Sequence, residues 1–183
     1  MTFNDPSTIS NPYLFAYTYR KIGAKPCPYG SGMHPYLTAG TATVDSAILR
    51  APGRTVLRSD ERGIPIGTAS VDGTEHDFRR PRPIAATKLD HCFTDLERDG
   101  NGRASVELRD ADGQTGLVLW VDEAYPYLQL FTGDPLPDVD RRSLAAEPMT
   151  CPPNAFQSGE GLIRLEPGGS TTSTWGIDLT PIG

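Results

Sequence analysis

One carboxylate of this sequence, Glu147, has neighbours that suit acid–base chemistry. It lies in the stretch 144–156, between two alanines and a segment that contains three prolines. Apolar, rigid neighbours are expected to desolvate the carboxylate partly, which raises its pKa and suits it to act as a general base. The same spacing also fits an ordinary loop carboxylate paired with Arg141 or Arg142, because structural ion pairs perturb carboxylates too. The stretch alone leaves both interpretations open.

Two further polar residues have rigid or apolar neighbours. His34 follows Met33 and precedes Pro35 in a segment, 23–37, whose prolines and glycines exclude a helix and fix a bent loop. We therefore expect its ring to be held in place, although a single loop histidine is more often structural or merely exposed. Asp90 belongs to the sequence Leu-Asp-His-Cys-Phe at 89–93 and is flanked by apolar residues in the same way.

Metal and disulfide sites are not expected. The three cysteines Cys27, Cys92 and Cys151 have no paired spacing, which fits a reducing compartment. The three histidines are scattered and give no zinc pattern. The segment 97–102 is similar to the start of a calcium loop, but its twelfth position is Leu108 rather than the bidentate glutamate that the geometry requires.

Composition limits the class of protein. The chain has 183 residues and a net charge of −6, with 37% hydrophobic and 22% charged residues. This size suits one domain, 1–183, and the acidic balance without a basic stripe argues against a nucleic-acid partner. No apolar run is long enough to span a bilayer. Residues 1–12 have neither a basic leader nor an apolar segment, so we expect a loose tail, no signal peptide and a cytoplasmic location.

The secondary-structure pattern is that of an all-β protein. Short segments with alternating apolar residues are separated by Gly, Pro and Asp turns, and convincing helical periodicity is absent. We read 60–67 as a charged turn and Asn101-Gly102 as a type I′ hairpin turn. The pattern predicts an antiparallel sandwich or barrel. The predicted strands are 13–19, 41–49, 54–58, 103–109, 115–121, 127–132, 161–165 and 171–179.

Several stretches, taken together and in this order, resemble the aldose 1-epimerase (galactose mutarotase) family. Each stretch alone is a weak signal, but six in the family's order are specific, and they cover the chain from about Gly23 to its end. The resemblance implies a large antiparallel β-sandwich (the galactose mutarotase-like supersandwich), in agreement with the all-β pattern. The six stretches are 28–37, 63–67, 77–79, 89–93, 128–133 and 144–156.

The resemblance implies a role for three residues. His34 looks like the family's general acid, which protonates the ring oxygen of the sugar, and Glu147 looks like the general base at the anomeric hydroxyl. Asp90 looks like the aspartate that accepts a hydrogen bond from a sugar hydroxyl. A looser comparison places Gln129 and Phe131 in the substrate pocket. The implied partner is a free aldohexose such as glucose or galactose, and the reaction needs neither a metal nor a cofactor.

The sequence also departs from the family. The family's chain is longer on its N-terminal side, and that part carries a substrate-binding arginine and a second active-site histidine. Residues 1–20 match poorly, and no residue before His34 can take either part. The resemblance is therefore to an N-terminally truncated mutarotase, from a truncated gene or a misplaced start.

Two alternatives to the isomerase follow. The first is a sugar-binding protein of the same fold that is catalytically impaired, and the missing N-terminal part favours it. The second is a glycoside hydrolase in which Asp90 and Glu147 form the carboxylate pair. We rank the hydrolase last, because the His-Pro-Tyr motif at His34 has no role in that mechanism.

Overall fold

The structure is a computed structural model that describes residues 13–134, 136–137 and 140–181. The loose tail predicted for 1–12 lies outside the described residues. The regular secondary structure of the described chain is almost entirely β-strand, with one short α-helix, α1 (Ala155–Ser158). In chain order the strands are β1 (Tyr13–Arg20), β2 (Cys27–Tyr29), β3 (Tyr36–Leu37), β4 (Ile48–Arg50), β5 (Gly53–Ser59), β6 (Pro65–Ser70), β7 (Arg82–Pro83), β8 (Asp90–Leu96), β9 (Ala104–Arg109), β10 (Thr115–Val121), β11 (Tyr127–Phe131), β12 (Leu144–Met149), β13 (Ile163–Leu165) and β14 (Ser170–Pro181).

The strands form two six-stranded antiparallel sheets. The first sheet has the order β1-β14-β10-β9-β4-β7, and the second has the order β3-β12-β11-β8-β5-β6. Strands β2 and β13 form a separate two-stranded ladder. The predicted all-β, antiparallel sandwich is therefore confirmed. Strands β9, β10 and β11 fall where the alternating pattern predicted them, since burial of one face imposes a period of two on the sequence.

The core lies between the two sheets. Leu108 and Leu119 of the first sheet belong to the same buried cluster as Leu128 and Leu130 of the second. Burying a leucine side chain of this kind contributes about 1.5–3 kcal/mol to folding. The largest fully buried side chains are Tyr125, Phe78, Leu49, Ile84, Leu89, Leu108, Leu119, Leu128, Leu130, Leu144, Val44 and Val71.

Two predicted segments are wrong. The strand predicted for 41–49 is a 3₁₀ turn over Val44–Ser46 followed by the short strand β4. The turn forms because the Val44 N–H donates to the Arg141 carbonyl and the Ala47 N–H donates to the Val44 carbonyl. The charged turn predicted for 60–67 is shorter, since β6 begins at Pro65. Proline is tolerated there because β6 is an edge strand, where a missing N–H breaks no central ladder.

The Asn101-Gly102 turn is present but has another geometry. Gly102 has a φ of 77°, whereas Asn101 is not among the described residues with positive φ, so the turn is not type I′. The Asp99 carboxylate accepts hydrogen bonds from the N–H groups of Asn101 and Arg103 and holds the turn. The flanking strands β8 and β9 lie in different sheets. The turn therefore carries the chain from one layer to the other and does not close a hairpin.

Candidate active site

Glu147 lies in β12, whose side chains alternate between the core and the outer face of the second sheet. Leu144 and Ala146 are fully buried in the core. Successive strand residues point to opposite faces, so Glu147 points away from the core. Its partner in β11 is Gln129, and the partner of Gln129 in β8 is Cys92. Three adjacent strands thus place these three side chains in one row.

The Glu147 carboxylate is in contact with an imidazole. Oε1 of Glu147 lies 3.0 Å from Nε2 of His34, and the Glu147 side chain is only 15% exposed. Burial raises the pKa of Glu147 above its ordinary value, the charge of His34 lowers it, and the nearby Asp90 carboxylate raises it. Burial is the largest of these effects. The carboxylate is therefore a stronger proton acceptor than an exposed glutamate.

The alternative pairing of Glu147 with an arginine does not occur in the structure. Arg141 forms ion pairs with Asp45 and Asp134 and donates to two backbone carbonyl groups. Arg142 is exposed and forms no ion pair with a described residue. Glu147 is also a strand residue rather than a loop residue. The partner of this carboxylate is the histidine of a distant loop.

Backbone hydrogen bonds fix the loop that carries His34 against β12. The Met33 N–H donates to the Pro148 carbonyl, and the Ala146 N–H donates to the Pro35 carbonyl. These two bonds lie on either side of His34 in the loop and on either side of Glu147 in the strand. The imidazole, whose side chain is 51% exposed, is thereby held beside the carboxylate while it stays open to solvent.

Asp90 and Gln129 form the second polar pair of the site. The Gln129 side-chain amide donates to Oδ1 of Asp90 over 2.7 Å. Asp90 is the first residue of β8 and is exposed, and its backbone N–H donates to Nδ1 of His91 over 3.1 Å. An ionised carboxylate accepts hydrogen bonds only, and Gln129 leaves Oδ2 of Asp90 without that partner. The site therefore offers an acceptor for a hydroxyl group on the side opposite to His34.

Two aromatic side chains border these polar groups. The ring of Tyr36, in β3, lies 4.9 Å from the His34 ring in a tilted arrangement. Phe131 is half-buried and has Asp90 and Ala145 as its cross-strand partners. All five residues predicted from the sequence, Glu147, His34, Asp90, Gln129 and Phe131, thus lie on or against the outer face of the second sheet.

A cavity of about 730 Å³ adjoins this group and was not predicted. Asp90 and Gln129 line one end of it, and the β5–β6 hairpin lines much of the rest. It also holds His76 and His91, whose rings are 4.3 Å apart. The sequence places these histidines in a turn and a strand 15 positions apart, and nothing in that spacing indicates the contact. In the sequence, His91 was notable only because it directly follows Asp90.

Metal ligation and membrane spanning find no support in the described part of the chain. No group of three or more His, Cys, Asp or Glu side chains is placed to hold a metal ion. No helix of the described residues has the length and hydropathy to cross a membrane. The chemistry that the arrangement can perform directly is proton transfer, with a partly buried carboxylate and an imidazole in contact.

Comparison with known proteins gives consistent matches. The family model for aldose 1-epimerase matches residues 8–178. The uncharacterized protein YihR of Escherichia coli (strain K12) is 36% identical over 149 residues, which make up 81% of this chain and 46% of that protein. The GalM/aldose epimerase homologue from C. elegans superposes with a TM-score of 0.77 at 16% identity, over 93% of this chain and 57% of that one.

The galactose 1-epimerase from Lactobacillus acidophilus NCFM superposes with a TM-score of 0.69 at 23% identity, over 92% of this chain and 53% of that one. At such identities the structural matches establish the fold alone. The chain spans about half the length of the relatives that it matches. Because the family model covers nearly the whole sequence and the described fold agrees with it, the chain belongs to the aldose 1-epimerase family.

Proposed function

We propose that the site around Glu147 interconverts the α and β anomers of a free aldose such as glucose or galactose. The observation that carries the proposal is the 3.0 Å contact between Glu147 and His34. Mutarotation requires a base at the anomeric hydroxyl O1 and an acid at the ring oxygen O5. Both oxygens are bonded to C1, so the base and the acid must lie next to each other, as these two side chains do.

The reaction needs one proton transfer at each residue. Ionised Glu147 takes the proton from O1, protonated His34 donates a proton to O5, and the C1–O5 bond breaks as the C1–O1 bond becomes a carbonyl. The open-chain aldehyde then rotates about C1–C2. For closure, O5 attacks the other face of C1, neutral His34 takes the O5 proton back, and Glu147 returns its proton to O1. Atoms and charges balance, and both residues return to their starting state.

Asp90 and Gln129 hold the sugar in this proposal. The free oxygen of the Asp90 carboxylate accepts a hydrogen bond from a ring hydroxyl, and the Gln129 amide fixes the carboxylate by donating to its other oxygen. Hydrogen bonds to a charged group contribute about 1.5–3 kcal/mol, enough to orient a small polar ligand. Phe131, beside Asp90, supplies an apolar wall.

The test is polarimetry of freshly dissolved α-glucose and α-galactose. Glu147→Gln should remove most of the acceleration over spontaneous mutarotation, about 10²- to 10⁴-fold, as expected for loss of a general base. The control is Glu166→Gln, which changes an exposed carboxylate paired with Arg164 and should leave the rate unchanged. Unchanged activity of Glu147→Gln would exclude this carboxylate as the base.

A second candidate is sugar binding without turnover. The charged groups that act on Glu147 among the described residues are His34 and Asp90, and no arginine is among them. The family resemblance, in contrast, implies an additional arginine and an additional histidine in the complete site. Calorimetry that detects saturable sugar binding, with no polarimetric activity in the same preparation, would favour this candidate over the isomerase.

A further inference from the structure

Strand β1 lies at an edge of the first sheet and differs from the other strands that lie at the edges of the two described sheets. Strands β3 and β7 are only two residues long, and β6 begins at Pro65, next to an irregularity in its register with β5. In contrast, β1 has eight residues, contains no proline and pairs with β14 in continuous register. Short length, proline, bulges and charges keep an exposed sheet edge from pairing with another chain. The single charge of β1, on Arg20, is at its last residue, so most of this edge has no such protection.

The free edge of β1 carries unpaired backbone groups. Lys21, directly after the strand, exchanges backbone hydrogen bonds with Gly168 and Gly169 on the side of β14. Successive residues of a strand direct their N–H and C=O groups to opposite sides. The backbone groups of residues 13, 15, 17 and 19 therefore face β14, and those of residues 14, 16, 18 and 20 point away from it. No described residue pairs with this second set.

Exposed apolar side chains are concentrated at the same edge. Tyr13, Leu14 and Tyr19 are exposed by 58%, 59% and 36%, and Ile22, two positions after the strand, is exposed by 94%. These are half of the large hydrophobic side chains that are exposed among the described residues. Exposed apolar surface beside unpaired strand groups indicates a place where a further strand adds to the sheet.

The charges at this edge fit a second copy of the chain. Arg20 lies at one end of β1, and Asp178, the only charged residue of β14, lies beside the other end. Phe15 and Trp175 are cross-strand partners that pack against the core, so Arg20 and Asp178 both lie on the outer face. When two copies meet edge to edge in antiparallel orientation, the basic end of each lies near the acidic end of the other. In parallel orientation, the two basic ends would meet.

We propose that β1 is a dimerisation surface, which pairs antiparallel with β1 of a second copy of this chain. A two-fold axis at Tyr17 brings the free backbone groups of residues 14, 16, 18 and 20 into hydrogen bonds and joins the two first sheets into one continuous sheet. Leu14 then lies opposite Arg20 of the second copy, and Phe15 lies opposite Tyr19 of the second copy, an aromatic pair of the kind that stabilises sheets. The proposal concerns assembly and does not depend on the chemistry proposed for Glu147.

The first test is sedimentation equilibrium of the full chain between about 1 and 100 μM, where we expect the mass of a dimer at the upper concentrations. Ala16→Pro removes an N–H group that points to the free edge, so the pairing with β14 stays and the pairing with the second copy is lost. The dissociation constant of the dimer should rise about tenfold or more. Thr68→Pro is the matched control, since it removes a free-edge N–H group from β6 of the other sheet and should leave the dimer unchanged.

A charge exchange between exposed side chains tests the orientation and the register. Leu14→Arg places like charges opposite each other across the proposed interface, so the dissociation constant should rise about tenfold. Leu14→Arg combined with Arg20→Glu replaces the repulsion by attraction and should bring the constant back to within about threefold of the parent value.

Amide hydrogen exchange locates the interface. The N–H groups of Ala16 and Thr18 should exchange about tenfold or more slowly in the dimer than in the dilute monomer, whereas that of Tyr17, which faces β14, should be protected in both. The proposal is overturned if the chain stays monomeric at about 100 μM, or if Ala16→Pro dimerises as tightly as the parent. If Ala16→Pro does not fold, the charge exchange decides, and a double variant that dimerises no more tightly than Leu14→Arg overturns the proposal.

Discussion

Gln129 and Glu147 are direct cross-strand partners, and the Gln129 amide also donates to Asp90 on the next strand. The sheet itself therefore sets the spacing between the carboxylate beside His34 and the carboxylate that faces the cavity. Burial is the main cause of the raised pKa of Glu147, and the negative charge of Asp90 on the same face raises it further. Gln129 separates them and stabilises Asp90 with a donated hydrogen bond.

The first prediction concerns the acid limb of the pH–rate profile. Catalysis requires ionised Glu147, and burial raises the pKa of this carboxylate. As the pH is lowered, kcat/KM should therefore begin to fall at a higher pH than it would if the base were an exposed glutamate. Asp90→Asn removes a charge that raises this pKa, so the limb of its residual activity should move to lower pH. Initial rates by polarimetry measure the acid limbs of the parent protein and of Asp90→Asn, and Asp112→Asn, in an exposed turn, is the control. An acid limb that moves to higher pH in Asp90→Asn would contradict the effect of the Asp90 charge on the pKa of Glu147.

The second prediction concerns stability. Folding raises the pKa of Glu147, so the folded state binds its proton more tightly, and the stability that this provides is lost as pH rises through the folded pKa. At about pH 7 the ionised carboxylate is therefore destabilising. Glu147→Gln should raise Tm by about 2 °C there, and the gain should vanish below about pH 4. Thermal unfolding at both pH values, with Glu166→Gln as control, tests the sign. A lower Tm at neutral pH would refute it.

Much of the fold could be predicted because one-sided burial leaves a period of two in the sequence. Strand β9 alternates buried Ala104, Val106 and Leu108 with less buried residues, and it was predicted from that pattern. Strand β6 was missed because Pro65 and Gly67 are turn residues by local preference, and an edge strand tolerates both. The 3₁₀ turn at Val44 depends on a hydrogen bond to Arg141, which no local window contains.

Some features of the site could likewise be predicted from the sequence and others could not. Partial desolvation of Glu147 was predicted from its alanine and proline neighbours, and burial does raise its pKa. Its contact with His34 joins residues more than a hundred positions apart through the pairing of β3 with β12, so local spacing holds no sign of it. The family resemblance named both residues without giving their distance. The cavity with His76 and His91 depends on the packing of the turn that follows β6 against β8, and no motif indicated it.

The third prediction concerns Gln129 as the residue that positions Asp90. Gln129→Met keeps the length of the side chain but removes the donor, so KM should rise about 3- to 10-fold, while kcat changes less. Gln129→Glu instead places a third carboxylate between Asp90 and Glu147, so the acid limb should move to higher pH. Gln157→Met, in the exposed α1, is the control. Equal loss of kcat and kcat/KM in Gln129→Met would show that Gln129 acts in the transition state instead.

The fourth prediction tests the packing of β5 against β8, the strand that carries Asp90. A Cβ added at Gly53 would lie 2.6 Å from Cβ of Phe93, a buried core residue. Gly53→Ala should therefore destabilise the protein by about 1–3 kcal/mol, as overpacking of a core typically does.

Gly100→Ala is the matched control for this change, because its Cβ would meet no atom within 4 Å and its φ is not in the left-handed region. Its stability should stay within about 0.5 kcal/mol of the parent. Urea unfolding measures both variants. If Gly53→Ala leaves the stability measured by urea unfolding unchanged, β5 can move away from β8. Such freedom would change the shape of the cavity that residues of both strands line, and glucose affinity should then change in that variant as well.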